Sequence, residues 1–104
     1  MTPIKTIELS HFINSIQKGI YDELFTLPFL GRTSLIKNAY AYKKDSLTSD
    51  DVSEIIVSAK EMAAVTAYVF FKCNFIAKTE TGECKLTHDG KLALREMIRE
   101  DRFK

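Results

Sequence analysis

The stretch from Met62 to Phe71 reads Met-Ala-Ala-Val-Thr-Ala-Tyr-Val-Phe-Phe and contains no Lys, Arg, Asn or Gln. Ser58 and Glu61, just before it, have the spacing of a capping box, so a helix is predicted from about Ala59 to Lys72 or Cys73. A helix that is apolar on nearly every side is usually buried. With 104 residues, 45% of them apolar and 28% charged, the chain has ordinary globular composition and enough length for one core. The cover for this helix therefore comes from the rest of the chain, from a second subunit or from a partner protein.

The N-terminal third offers one such cover. Leu9, Phe12, Ile13, Ile16, Ile20, Leu24 and Leu27 recur at steps of three and four, which places them on one stripe of a helix running from Thr6 or Ser10 to about Phe25. Ser10, Asn14, Lys18 and Asp22 occupy its other face. Pro28 is expected to stop this helix, and Gly31 to let the chain turn. The stripe also suits self-association, and Phe12, Ile13, Ile16, Ile20 and Leu24 are the candidate dimer contacts.

A second helix is predicted from Ser34 to Lys44, with Leu35, Ile36, Ala39 and Tyr42 inward and Lys43 and Lys44 at its negative end. A third, short helix follows Thr48, whose spacing to Asp51 is that of a capping box. Val52, Ile55 and Ile56 give it an apolar face, and Leu47 lies under the core. About three residues separate it from the helix beginning at Ala59, the tight connection of a helix-turn-helix. Phe75 to Thr79 and Cys84 to Leu86 read as two strands joined by a turn at Thr81-Gly82. Thr87 then caps a last helix running to about Arg99, with Leu92, Leu94, Met97 and Ile98 as its apolar positions.

This order, from residue 34 onward, resembles the winged helix-turn-helix superfamily of transcription regulators. Leu47-Thr48 followed by Asp50-Asp51-Val52 is similar to the family's entry into its second helix, and Ser58 stands where its turn would lie. Asn74-Phe75-Ile76 stands in place of Gly-Leu-Ile, Phe70 matches the apolar anchor before it, and Leu86-Thr87 with Gly90 matches the close of the wing. Asn74 replaces a glycine, but Asn tolerates the left-handed conformation. The resemblance implies an α+β, mainly helical domain: a winged helix-turn-helix over residues 34–104 with an extra N-terminal helix over residues 1–33. It further implies a DNA-binding transcription regulator of a prokaryote, its virus or a mobile element, acting as a homodimer. Lys60, Ala64, Tyr68 and Lys72 would face duplex DNA from the reading helix. Lys78, Thr79, Thr81 and Lys85 would do so from the wing, and Lys43 and Lys44 would add phosphate contacts.

Other features pull against DNA. Fifteen basic and 14 acidic residues leave a net charge of +1, and between Met62 and Phe71 the reading helix has no Arg, Lys, Asn or Gln to hydrogen-bond base edges. The alternative is a winged-helix protein-interaction module, or an inhibitor or host-takeover factor on the same scaffold, with the apolar helix as its binding surface. Lys91, Arg95, Arg99, Arg102 and Lys104 form a basic series, read first as a solvated face. Cys73, Cys84 and His88 supply soft ligands but lack the fourth that a structural zinc needs, so no metal or cofactor is expected. His88-Asp89 has no accompanying nucleophile or oxyanion arrangement, and an enzyme is not expected. No run of about 18 apolar residues predicts a membrane span, and residues 1–9 do not read as a signal peptide, which leaves the cytoplasm as the expected location.

Overall fold

The computed structural model describes residues 5–102, apart from the side chains of Ile98, Glu100, Asp101 and Arg102. The expectations that rest on the Ile98 and Arg102 side chains and on Lys104 fall outside the described residues. The fold is α+β and mainly helical. Its elements are β1 (Thr6–Glu8), α1 (Leu9–Gln17), a 3-10 turn (Asp22–Leu24), α2 (Pro28–Ala41), β2 (Ser46–Thr48), α3 (Ser49–Lys72), β3 (Ile76–Lys78), β4 (Cys84–Leu86) and α4 (His88–Arg102). β1 and β2 pair antiparallel with Ile7 opposite Leu47, and β3 and β4 pair antiparallel with Ala77 opposite Lys85. The β1–β2 pair is not anticipated from the sequence.

α1 is shorter than the periodicity predicts. It ends at Gln17, and Gly19 takes a positive φ of 83° that turns the chain. The following residues form the 3-10 turn, held to α2 by Arg32, whose Nε donates to Asp22 Oδ1 at 2.8 Å. That hydrogen bond holds the Asp22 carboxyl below its usual range.

Pro28 starts α2 instead of ending a helix. It is the first residue of α2, where its missing N–H would have had no helical partner. Ser34, where the sequence predicts this helix to begin, is instead buried inside α2 beside Thr33, whose Oγ1 donates to the Phe29 carbonyl. Gly31 also lies inside α2, pressed against the Phe25 ring, so its role is close packing and not a turn. α2 closes at Ala41, and Lys43 follows in the left-handed region at φ 55°.

The largest departure is α3. The short helix and the longer one expected on either side of a turn at Ser58 form one continuous 24-residue helix. Its start is as read from the sequence: Thr48 Oγ1 accepts from Asp51 N while Asp51 Oδ2 accepts from Thr48 N. Nothing between Ser49 and Lys72 interrupts it, since the stretch has no Gly or Pro and an interior Ser costs only about 0.5 kcal/mol relative to Ala. Ile55, Ala59 and Ala63 continue one buried row across Ser58, so packing favours continuity over the Ser58–Glu61 box.

α2 and α3 lie antiparallel and bridge two clusters of buried residues. At one end Leu35 and Ala39 of α2 meet Ile55 and Ala59 of α3, with Phe12, Ile16 and Leu47 between them. At the other, Leu30 of α2 and Phe70 of α3 enclose Ile76 and Leu94. Phe12, Ile13 and Ile16 are therefore consumed by their own chain's core, which corrects their expected role as dimer contacts. Ile20 and Leu24, from the same expected stripe, are exposed.

The end of α3 fixes the hairpin. Asn74, left-handed at φ 61°, ends the helix as the sequence anticipates. Phe75 N donates to Phe70 O at 2.8 Å and Asn74 N to Phe71 O at 3.2 Å, which is the Schellman pattern. The Phe70 and Phe75 rings pack edge to face across it at 5.3 Å. Thr87 N donates to Phe75 O, Thr87 Oγ1 accepts from Gly90 N, and the Gly90 Cα abuts the Phe75 carbonyl. The Leu-Thr-x-x-Gly sequence thus locks the first turn of α4 onto the end of α3.

Candidate functional site

An α-helix packed on one side against its neighbour leaves the opposite side open. Ile55, Ala59, Ala63 and Phe70 turn α3 toward the core. On the far side Val57, Val65, Tyr68, Val69 and Phe71 are between 47% and 65% exposed. Of the covers the sequence allows, the N-terminal helix is not the one used, since α1 packs at the Ile55 end of the core and leaves Val57, Val65, Tyr68, Val69 and Phe71 exposed. Isolated exposed apolar residues are ordinary, but monomers rarely present contiguous apolar patches beyond a few hundred Å².

Lys60, Ala64, Tyr68 and Lys72 step by four and are all exposed, so they form one ridge, as the sequence reading requires. The Lys72 Nζ sits over the Tyr68 ring, 5.6 Å from its centroid. Lys60 helps to line a mostly apolar groove together with Leu24, Phe25, Leu27, Leu30 and Ala64.

The remaining candidate DNA contacts do not join this ridge. Residues directly opposite in an antiparallel pair share a face, and neighbours along a strand alternate. Lys78 is opposite Cys84 and Lys85 is opposite Ala77, so the two wing lysines point to opposite faces of the hairpin. Thr79 and Thr81 are tied together, with their hydroxyls 3.0 Å apart, and Glu80 and Glu83 are exposed beside them. Lys43 and Lys44 lie beside the start of α3, and a 24-residue helix places that start about 36 Å from the wing end. Lys44 is engaged there, its Nζ 3.2 Å from Asp51 Oδ1. The Thr48 amide, and after it Lys44, hold the Asp51 carboxyl below its usual range. Glu54 accepts the Tyr42 hydroxyl, and that carboxylate pushes the Tyr42 pKa up.

On α4, Lys91, Arg95 and Arg99 are exposed at steps of four and form a basic ridge, with Arg99 3.9 Å from Glu96. Cys73 and Cys84 are free thiols. Among the described residues no group of three or more His, Cys, Asp or Glu comes together, so Cys73, Cys84 and His88 do not share one site. No helix of the described residues is long and apolar enough to cross a membrane.

The sequence reading misses Glu54 and Val57 as members of the outer face, because the expected turn at Ser58 assigns them to a separate helix. Extending the 3.6-residue period of the stretch 62–71 back through Ser58 would have found them. No protein-family model, curated protein or solved structure matches this chain.

Proposed function

We propose that this chain is a protein-interaction module whose interface is the outer face of α3. The observation that carries the reading is the exposure of Val57, Val65, Tyr68, Val69 and Phe71 along one uninterrupted helix. Aromatic residues such as Tyr68 and Phe71 are enriched in protein interfaces, and charge is depleted at interface centres. The side chains are also poor readers of base edges, which want Arg, Lys, Asn or Gln.

The test is site-specific photo-crosslinking in the cell that makes the protein. A photoreactive residue at Val65 should form a defined covalent adduct, and the same residue at exposed Lys18 should not. Equal labelling at both positions, or none at Val65, overturns the reading.

A second reading, a winged-helix DNA-binding regulator, is favoured by two features. α3 runs directly into the β3–β4 hairpin, and α4 carries the Lys91, Arg95 and Arg99 ridge. Binding to random duplex DNA, followed by fluorescence anisotropy, should then weaken steeply with salt. Its logarithmic slope should fall by about one unit for each phosphate that Lys91→Ala or Arg95→Ala leaves unneutralised. Absence of binding at low salt removes this reading.

A further inference from the structure

We infer that the outer face of α3 docks on the same face of a second copy of this chain, with the two helices antiparallel. The inference rests on the interaction reading above and names its partner. Glu54, Ser58, Glu61, Val65, Tyr68 and Lys72 are separated by steps of four and three in alternation and are all exposed. That is the spacing of a helix seam, here apolar only at Val65 and Tyr68, with charge at Glu61 and at both ends, where Glu54 also accepts the Tyr42 hydroxyl. In an antiparallel two-fold pair centred level with Ala63, Glu54 lies against Lys72 of the second copy, Ser58 against its Tyr68, and Glu61 against its Val65. Two-fold symmetry repeats each contact, so both ends of the seam carry an opposite-charge pair.

Charge decides between the two possible directions. A parallel, in-register pair would set Glu54 on Glu54, Glu61 on Glu61 and Lys72 on Lys72, three like-charge layers that destabilise. The antiparallel pair removes all three like-charge layers, sets an opposite-charge Glu54–Lys72 pair at each end and opposes the two helix dipoles; the Glu61–Val65 layers near the axis keep a charge beside an apolar side chain and weaken the pair. The same direction aligns a flank of the seam: Val57, Ala64 and Phe71 repeat every seven residues and are exposed. In the same register Val57 lies about 3 Å along the axis from Phe71 of the second copy, and the two Ala64 residues lie about 3 Å apart along it across the two-fold, where their small side chains let the helices approach.

The seam from Glu54 to Lys72 is about 28 Å long. A single helix pair of that length buries less than the roughly 800 Å² per partner of a standard interface. The dimer is therefore weak and reversible, with dissociation in the micromolar range.

Sedimentation velocity on purified protein across the micromolar range tests the pairing. Wild type should move from monomer to dimer with concentration. Val65→Glu should stay monomeric while keeping its circular dichroism, since Val65 is outside the core. Glu54→Lys and Lys72→Glu should each weaken association by about tenfold, because each disturbs two symmetry-related pairs. The double variant should recover to within about twofold of wild type. A double variant no better than the singles overturns the antiparallel register. A wild type that stays monomeric throughout overturns the second copy as partner. The crosslink at Val65 then separates the two levels: an adduct of another mass keeps the interaction reading, and no adduct removes it too.

Discussion

Both faces of α3 carry a row of apolar residues, yet only one of the rows is covered. Ile55, Ala59, Ala63 and Phe70 pack on α2 and the second cluster, and Val57, Val65, Tyr68 and Phe71 face outward. The inner row is dominated at its centre by Ala59 and Ala63, which bring α2 and α3 close together. The outer row has bulkier apolar side chains, which among the described residues remain about half exposed or more. An apolar helix is therefore not by itself evidence of a buried helix: composition states that cover is favourable, and connectivity decides which side receives it. Here the short α2–β2 link folds α2 back on one side of α3, and among the described residues no further helix lies on the other.

The comparison predicts unequal costs of truncation. Phe70→Ala, on the inner face, removes a 4%-exposed ring packed edge to face on Phe75 and should cost about 3–5 kcal/mol in urea denaturation. It should also loosen the hairpin, because the Phe70–Phe75 contact accompanies the hydrogen bonds that end α3. A cost below about 1 kcal/mol would mean that the second cluster is not a packed core.

Gly90→Ala should come next. The added Cβ would overlap the Phe75 backbone carbonyl, which has little freedom because it accepts from Thr87 N. Relieving such an overlap typically costs about 1–3 kcal/mol. Thermal denaturation of the variant measures it, and an unchanged midpoint would show that α4 is not seated on the end of α3.

Which of these features can be read in the sequence follows from how local their causes are. The Thr48–Asp51 box, the left-handed Asn74, the Thr87 cap and the hairpin turn depend on residues within a few positions of one another, and all are legible. Pro28 is not, because a proline that cannot sit inside a helix can equally well begin one. Ser58 with Glu61 has the spacing of a helix start but also fits a helix interior. The choice is made by Ile55, Ala59 and Ala63 packing on α2, a contact between distant segments. Gly31 is illegible for the same reason, since its partner, the Phe25 ring, reaches it only through the turn after α1. The outer-face ridge Lys60, Ala64, Tyr68 and Lys72 is legible from helical period alone, and its extension to Glu54 and Val57 is hidden by the supposed break.

The start of α3 gives a smaller effect. Thr48→Ala removes the acceptor for Asp51 N and should cost about 1 kcal/mol near neutral pH. The box also has a pH signature. The folded-state pKa of Asp51 is lowered, so its contribution is present above the unfolded carboxyl value, about 3.9, and is lost as pH falls through the depressed folded value. Asp22, lowered by Arg32, acts in the same direction. Urea midpoints of wild type should therefore decline below about pH 4, and Asp51→Asn should decline less. Parallel declines in the two proteins would mean that Asp51 is not stabilised in the fold.

The smallest expected effect sharpens the comparison most. Val65→Thr keeps the shape of the side chain on the outer face and exchanges a methyl group for a hydroxyl. Measured on dilute, monomeric protein, it should change stability by no more than about 0.5 kcal/mol, because Val65 is 65% exposed and supports nothing beneath it. A loss of roughly 2 kcal/mol would place Val65 inside a packed surface and erase the distinction between the two faces. Near-zero change, set beside the cost of Phe70→Ala one turn and a half further along the same helix, would mean that the fold makes no use of the outer apolar row, and that its residues are free to serve contacts with another molecule.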